Sequence, residues 1–155
     1  MMMAIAKKIG RPTCCAALRT TSIRSAAVNA RPGEIRVRQS AIGVNFTDVH
    51  GRRGDYAPLR AMPMPLVLGM EAAGVVEALG EGVERFRVGD RVAYASVPLG
   101  AYCDVRNFPA ERCVSLPAGV SDRAAAAVLL KGLTVQMLVR RVFREIGRAS
   151  CRERV

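Results

Sequence analysis

Apolar residues recur along the middle of the chain in runs too short for helices. Glu34–Arg38 alternates polar and apolar with period two, as a half-buried strand does. Ala41–Phe46 forms a second apolar run. Ala72–Leu79 and Val92–Ala95 are two more, bounded by Gly80-Glu81-Gly82 and Val88-Gly89-Asp90-Arg91. Gly supplies the positive φ of tight turns, and Val75, Val76 and Val92 favour strands. Ala101–Val105 and Cys113–Leu116 complete the predicted strands. Asp48–Asp55 is polar and Gly-punctuated and reads as a loop. Met62-Pro63-Met64-Pro65 reads as a connector, because Pro lacks the N–H of a helix or central strand.

The period changes near the end. Ser121 is a good N-cap, Asp122 suits a first turn, and Arg123–Leu130 predicts an Ala-rich helix. Gly132 is expected to interrupt it. A second helix follows, with Val135, Leu138, Val139 and Val142 on one face. Thr134 is a candidate N-cap for it. The expected fold is mainly β with C-terminal helices, in one domain, without internal repeats.

With 155 residues, the chain is long enough for a real core, and 50% hydrophobic with 5% aromatic makes that core aliphatic. No apolar run reaches the ~20 residues of a membrane span. The net charge of +11 suggests nucleic acid, but its distribution does not. Residues 1–60 hold 11 basic and 3 acidic side chains, residues 61–120 hold 5 and 7, and residues 121–155 hold 8 and 3. Basic residues interleaved with aromatics on one face would be expected of a nucleic-acid module. Five cysteines without a CxxC pair point away from a disulfide framework or zinc finger and towards reduced thiols in a cytoplasmic protein. Residues 1–33 contain no Asp or Glu, a composition shared by transit peptides and by a basic first hairpin.

The runs AIGVNFTDVHGRRGDY, LGMEAAGVVEALGEGV, VGDRVAYA, LGAYCDV and LLKGLTVQMLVRR occur in this order. Together they resemble the N-terminal, GroES-like catalytic domain of the NADPH:quinone oxidoreductases, the zeta-crystallin branch of the medium-chain dehydrogenase/reductases. The resemblance covers about residues 34–144. It implies a GroES-like partial β-barrel, followed in the family by a Rossmann domain. It also implies NADPH as hydride donor, a quinone or similar conjugated carbonyl as acceptor, and homo-oligomers in the full-length family. By the same resemblance, Asn45, Phe46, Thr47, Asp48, Val49 and His50 line the nicotinamide side of the cleft. Tyr56 lies near the substrate, and Lys131 and Thr134 near the cofactor.

Read by their own chemistry, these residues keep other roles open. Asn45 could orient a carboxamide or quinone oxygen, or satisfy a turn. Tyr56 could donate to a developing oxyanion or simply pack. His50, the single His, could work as acid or base or sit solvated in its loop. Asp48 could hold its loop by an Asx-type bond. Zinc relatives of the superfamily carry Cys where Asn45 stands and His where Met70 stands. Neither Asn nor a thioether is a usual zinc ligand, so no metal is expected.

No Gly-x-Gly-x-x-Gly turn follows a strand here, so a Rossmann domain is expected to be absent. The expected division is a GroES-like domain over residues 1–130, with a divergent basic start at 1–33. Residues 131–145 would begin a linker helix and 146–155 a non-family tail. That tail, IGRASCRERV, reads like translated sequencing-adapter sequence. The expectation is therefore an N-terminal piece of a quinone reductase, inactive by itself. An enone or enal reductase on the same scaffold, and a non-enzymatic GroES-like binding module, are the alternatives.

Overall fold

The alternating run at Glu34 continues as one strand, β1 (Glu34–Gly43), in a computed structural model that describes residues 29–62 and 66–142. The expectations placed on residues 1–28, on Pro63–Pro65 and on the tail at 146–155 lie outside the described residues. After β1 come α1 (Phe46–Arg53), α2 (Ala57–Arg60), β2 (Glu71–Leu79), β3 (Arg91–Ala95) and β4 (Val105–Pro109). A 3-10 turn at Ala110–Arg112, β5 (Cys113–Ser115), α3 (Asp122–Met137) and a π-helical turn at Leu138–Val142 complete the order. The strands form one sheet in the order β4-β1-β2-β3-β5, with every neighbouring pair antiparallel. This is the mainly β arrangement with a C-terminal helix expected from the sequence, and no parallel Rossmann sheet occurs among the described residues.

Both faces of the sheet are covered, and different residues cover them. On the inner face, Ile35, Val37, Val76, Phe86, Tyr94 and Phe108 are fully or almost fully buried in one cluster. Tyr94 and Phe108 stack with ring centroids 4.1 Å apart, and the Arg106 guanidinium lies 4.8 Å from the Phe108 centroid. Arg106 also donates to the Pro98 and Leu99 carbonyls. Its charge is thus held by ring faces and backbone inside the fold. The outer face is made of alanines: Ala73 and Ala93 meet Ala125 and Ala126 of α3. Side chains this small let the helix backbone approach the sheet closely. Gly43 allows the closest approach, since a Cβ there would come within 2.1 Å of the Ala126 carbonyl oxygen.

A bulge at Ser40 controls which side chains reach each face. Gln39 pairs with Gly74 and Ala41 with Ala73, so Ser40 is the extra residue. Before it, Ile35 and Val37 point inward. Beyond it, Ile42 is the inward residue and Ala41 faces α3. Gly74 is required opposite the bulge, where a Cβ would lie 2.0 Å from the Arg38 carbonyl oxygen.

Four local expectations are corrected by tertiary contacts. Ala41–Phe46 is not a separate strand; β1 ends at Gly43 and Phe46 opens α1. Asp48–Asp55 is largely helix rather than loop. Asp48 Oδ2 accepts the Asn45 N–H at 2.9 Å at its start, and Gly54, with φ 75°, closes it. The strand expected over Ala101–Val105 lies instead at Val105–Pro109. Gly100, Ala101 and Tyr102 spend their N–H groups on the Gly69 and Leu68 carbonyls instead of on a ladder. Finally, α3 runs through Gly132 without a break, and Thr134 is inside it, donating to the Leu130 carbonyl at 3.1 Å rather than capping. Ser121 does cap, accepting from Ala124 N–H at 3.2 Å.

Candidate functional site

Glu71 opens β2 directly opposite Gly43 of β1, on the face covered by α3. It is fully buried. A carboxylate in such a place persists only if its oxygens are all satisfied. Here Oε1 accepts from Asn45 Nδ2 at 2.9 Å and from Lys131 Nζ at 3.0 Å. Oε2 accepts the backbone N–H of Leu130, within α3, at 2.8 Å. Lys131 Nζ also donates to Asn45 Oδ1 at 2.9 Å. Three residues from three elements thus close a ring of hydrogen bonds around one negative and one positive charge. Lys131 is the open member, its side chain 55% exposed.

Behind this ring lies a second buried carboxylate. Besides the Asn45 N–H, Asp48 accepts the Gly69 N–H at 3.1 Å and the Tyr102 hydroxyl at 2.9 Å. It therefore ties the start of α1 to the segment before β2 and to the loop before β4. Burial, helped by the Asp48 hydrogen bond and charge, pushes the Tyr102 phenol above its ordinary range. Tyr102 is consequently a neutral donor at neutral pH.

The residues singled out from sequence divide into two groups. Asn45 and Lys131 come together through Glu71, and Asp48 supports Asn45 from below. Thr47 and Val49 are half-buried in α1. Phe46 is 69% exposed and meets the His50 ring edge-on at 4.8 Å. His50 Nδ1 lies 4.0 Å from Asp55 Oδ2. Tyr56 precedes α2 and is exposed, and Thr134 is exposed one turn beyond Leu130. Among the described residues no hydrogen bond joins His50, Tyr56 or Thr134 to the Asn45–Glu71–Lys131 ring. Glu71 and Tyr102 are central here and were not singled out. The available signal for Glu71 was a lone charge opening the otherwise apolar run AAGVV.

No three His, Cys, Asp or Glu side chains converge on one point among the described residues. The oxygens of Asn45 and Glu71 converge instead on the Lys131 ammonium. No helix among the described residues is long and apolar enough to cross a membrane.

Residues 31–132 match the alcohol dehydrogenase GroES-like domain family. A quinone oxidoreductase of Pseudomonas aeruginosa is 52% identical over 72% of this chain and 34% of its own length. A 2-haloacrylate reductase of a Burkholderia species is 46% identical over 70% of this chain and 33% of its own length. The crystal structure of the Escherichia coli quinone oxidoreductase complexed with NADPH superposes with a TM-score of 0.71 at 44% identity. That superposition covers 77% of this chain and 36% of that one. The chain thus spans about a third of the length of the curated relatives it matches.

Proposed function

The chain belongs to the alcohol dehydrogenase GroES-like domain family, among the quinone oxidoreductases of the medium-chain dehydrogenase/reductase superfamily, and from that premise we propose that it forms the acceptor-side wall of an NADPH-dependent quinone reductase. The observation that carries this reading is the Lys131 ammonium, held at 2.9 Å from Asn45 Oδ1 and half exposed. The exposed apolar side chains Val44 and Phe46 flank Asn45 in the chain. A quinone has a flat apolar body and oxygens that need a donor. Apolar side chains next to fixed donors suit that shape.

NADPH fits the donor set. Asn45, Thr47 and Thr134 offer amide and hydroxyl groups of the kind that hold a carboxamide or a ribose. The one carboxylate in the ring, Glu71, is buried and neutralised, so it does not repel the cofactor's phosphates. When bound, the cofactor supplies a hydride. This chain's own residues orient the acceptor and place positive charge near the oxygen where negative charge develops. No strand–glycine turn–helix for a pyrophosphate occurs among the described residues. We assign that task to a second domain of the Rossmann kind that the family resemblance implies, with residues 131–145 leading towards it. On this reading the 155-residue chain by itself has little or no turnover. The cysteine usage supports a reducing, cytoplasmic setting.

The test is an exchange. Residues 31–132 replace the matching segment of the Pseudomonas aeruginosa quinone oxidoreductase, and NADPH oxidation is followed with 1,4-benzoquinone. Sustained turnover that falls when Asn45→Ala is added supports the proposal. A folded chimera that binds NADPH but reduces no quinone would count against it. The Burkholderia relative, a 2-haloacrylate reductase, supports a second reading in which the acceptor is a conjugated acid or enone. The same chimera given 2-chloroacrylate separates the two by their ratio of kcat/KM.

A further inference from the structure

Lys131 carries three N–H donors, and the ring accounts for two of them, at Asn45 Oδ1 and Glu71 Oε1. The third belongs to an ammonium whose side chain is more than half exposed. A lysine on a helix surface ordinarily samples many rotamers. This one is held between two acceptors, one of them a fully buried carboxylate that cannot move away. Its position is therefore set by the packing of β2 against α3, and Leu130 N–H on Glu71 Oε2 fixes the carboxylate in turn.

We propose that Glu71 is a positioning residue that holds Lys131 so that its remaining N–H donates to a carbonyl oxygen of the bound acceptor. The inference rests on the quinone-reductase reading above and adds two roles to it. Lys131 is the group that polarises the acceptor oxygen, and Glu71 acts through Lys131 without touching the ligand. The charge of Glu71 is essential to this arrangement. A Gln of the same shape turns an NH₂ either onto the Leu130 N–H or onto the Asn45 amide and the Lys131 ammonium, donor against donor. In either orientation Lys131 loses its counter-charge and is held only by neutral acceptors, so its position is less fixed.

The full 155-residue chain, labelled with ¹³C at lysine Cε, tests this by NMR. The probe is duroquinone, whose methylated ring does not add to thiols. Expected is a shift of the Lys131 Cε–H resonance as duroquinone is added, reduced or lost in Glu71→Gln with the backbone amide spectrum otherwise kept. If Glu71→Gln does not fold, Glu71→Asp keeps the charge but draws it back by one methylene, and a weakened Lys131 response is expected there. Lys131→Met should weaken duroquinone binding, read from the Asn45 amide, by about tenfold. Duroquinone shifting the Asn45 region while Lys131 stays still would overturn the inference and leave the quinone-reductase reading standing. So would a response of Lys131 to nicotinamide mononucleotide alone, or a folded Glu71→Gln with an undiminished response. No shift anywhere with duroquinone overturns the inference as well, and the chimera's turnover then decides the wider reading independently.

Discussion

Tyr102 donates its hydroxyl to Asp48 Oδ2 across 2.9 Å, joining residues 54 positions apart in the chain. The bond explains how a polar, glycine-containing segment becomes α1. Its first turn is fastened from outside, by a carboxylate shared among Asn45, Gly69 and Tyr102.

Asp48→Asn should therefore cost more than its size suggests. One carboxylate oxygen becomes an NH₂ facing N–H or O–H donors, and a cost of about 1–3 kcal/mol is expected. Tyr102→Phe removes one bond and should cost about 1 kcal/mol. Urea unfolding of the two variants against the parent checks the order, with Asp48→Asn the less stable.

Alkaline pH should weaken the fold through two phenols. Burial raises both Tyr94 and Tyr102 above the ordinary value of 10.0, and Asp48 adds to the effect at Tyr102. A raised folded-state pKa contributes stability that is fully present below the unfolded value and is lost as pH rises above it. Stability should thus fall from about pH 10 upward, and the fall should be shallower in Tyr102→Phe. Unfolding midpoints taken across that range settle the slope.

Acid acts through the other end of α3. The Ser40 hydroxyl, with Arg91 next in effect, holds the Asp122 carboxyl below its ordinary range. A depressed carboxyl contributes stability above its unfolded value of 3.8 and loses it as pH falls through the lower folded one. Asp122→Asn should cost roughly 1 kcal/mol at neutral pH, the group being partly exposed, and should flatten the acid limb below about pH 4. An unchanged acid limb in the variant would refute this.

Two glycines should respond to alanine in opposite ways. At Gly43 the new methyl would meet the Ala126 carbonyl oxygen at 2.1 Å and the Glu71 side chain at 2.4 Å. Gly43→Ala is expected to lose about 1–3 kcal/mol or more. At Gly132, inside α3, nothing lies within 4 Å of the added carbon. Gly132→Ala should gain about 1 kcal/mol from helix propensity alone. Thermal unfolding of both variants checks the signs.

Sequence pattern served best where local chemistry decides the structure. β2 and β3 lie where Gly-bounded, β-branched runs place them, and Ser121 caps the helix it was expected to cap. Pattern was less informative where distant groups decide. α1 has no apolar stripe and takes its start from Asp48. Residues 100–102 give their backbone N–H groups to Leu68 and Gly69, which moves the strand to Val105. α3 is anchored on the sheet at Ala125 and Ala126 and continues through Gly132, where propensity alone argued for a break. In the site, family motifs brought out Asn45 and Lys131. Glu71 was hidden because its partners lie 26, 59 and 60 residues away, and no local window holds that pairing.

The bulge at Ser40 makes β1 one residue longer than the ladder beside it requires. Gly74 and Ala73 are consecutive in β2, so a chain lacking Ser40 would keep Ala41, Ile42 and Gly43 on their present partners and faces. Such a deletion would forfeit the Ser40 hydroxyl on Asp122 and leave the arrangement of Asn45 and Glu71 in register. The spare residue is thus slack in the strand, used to fasten the start of α3.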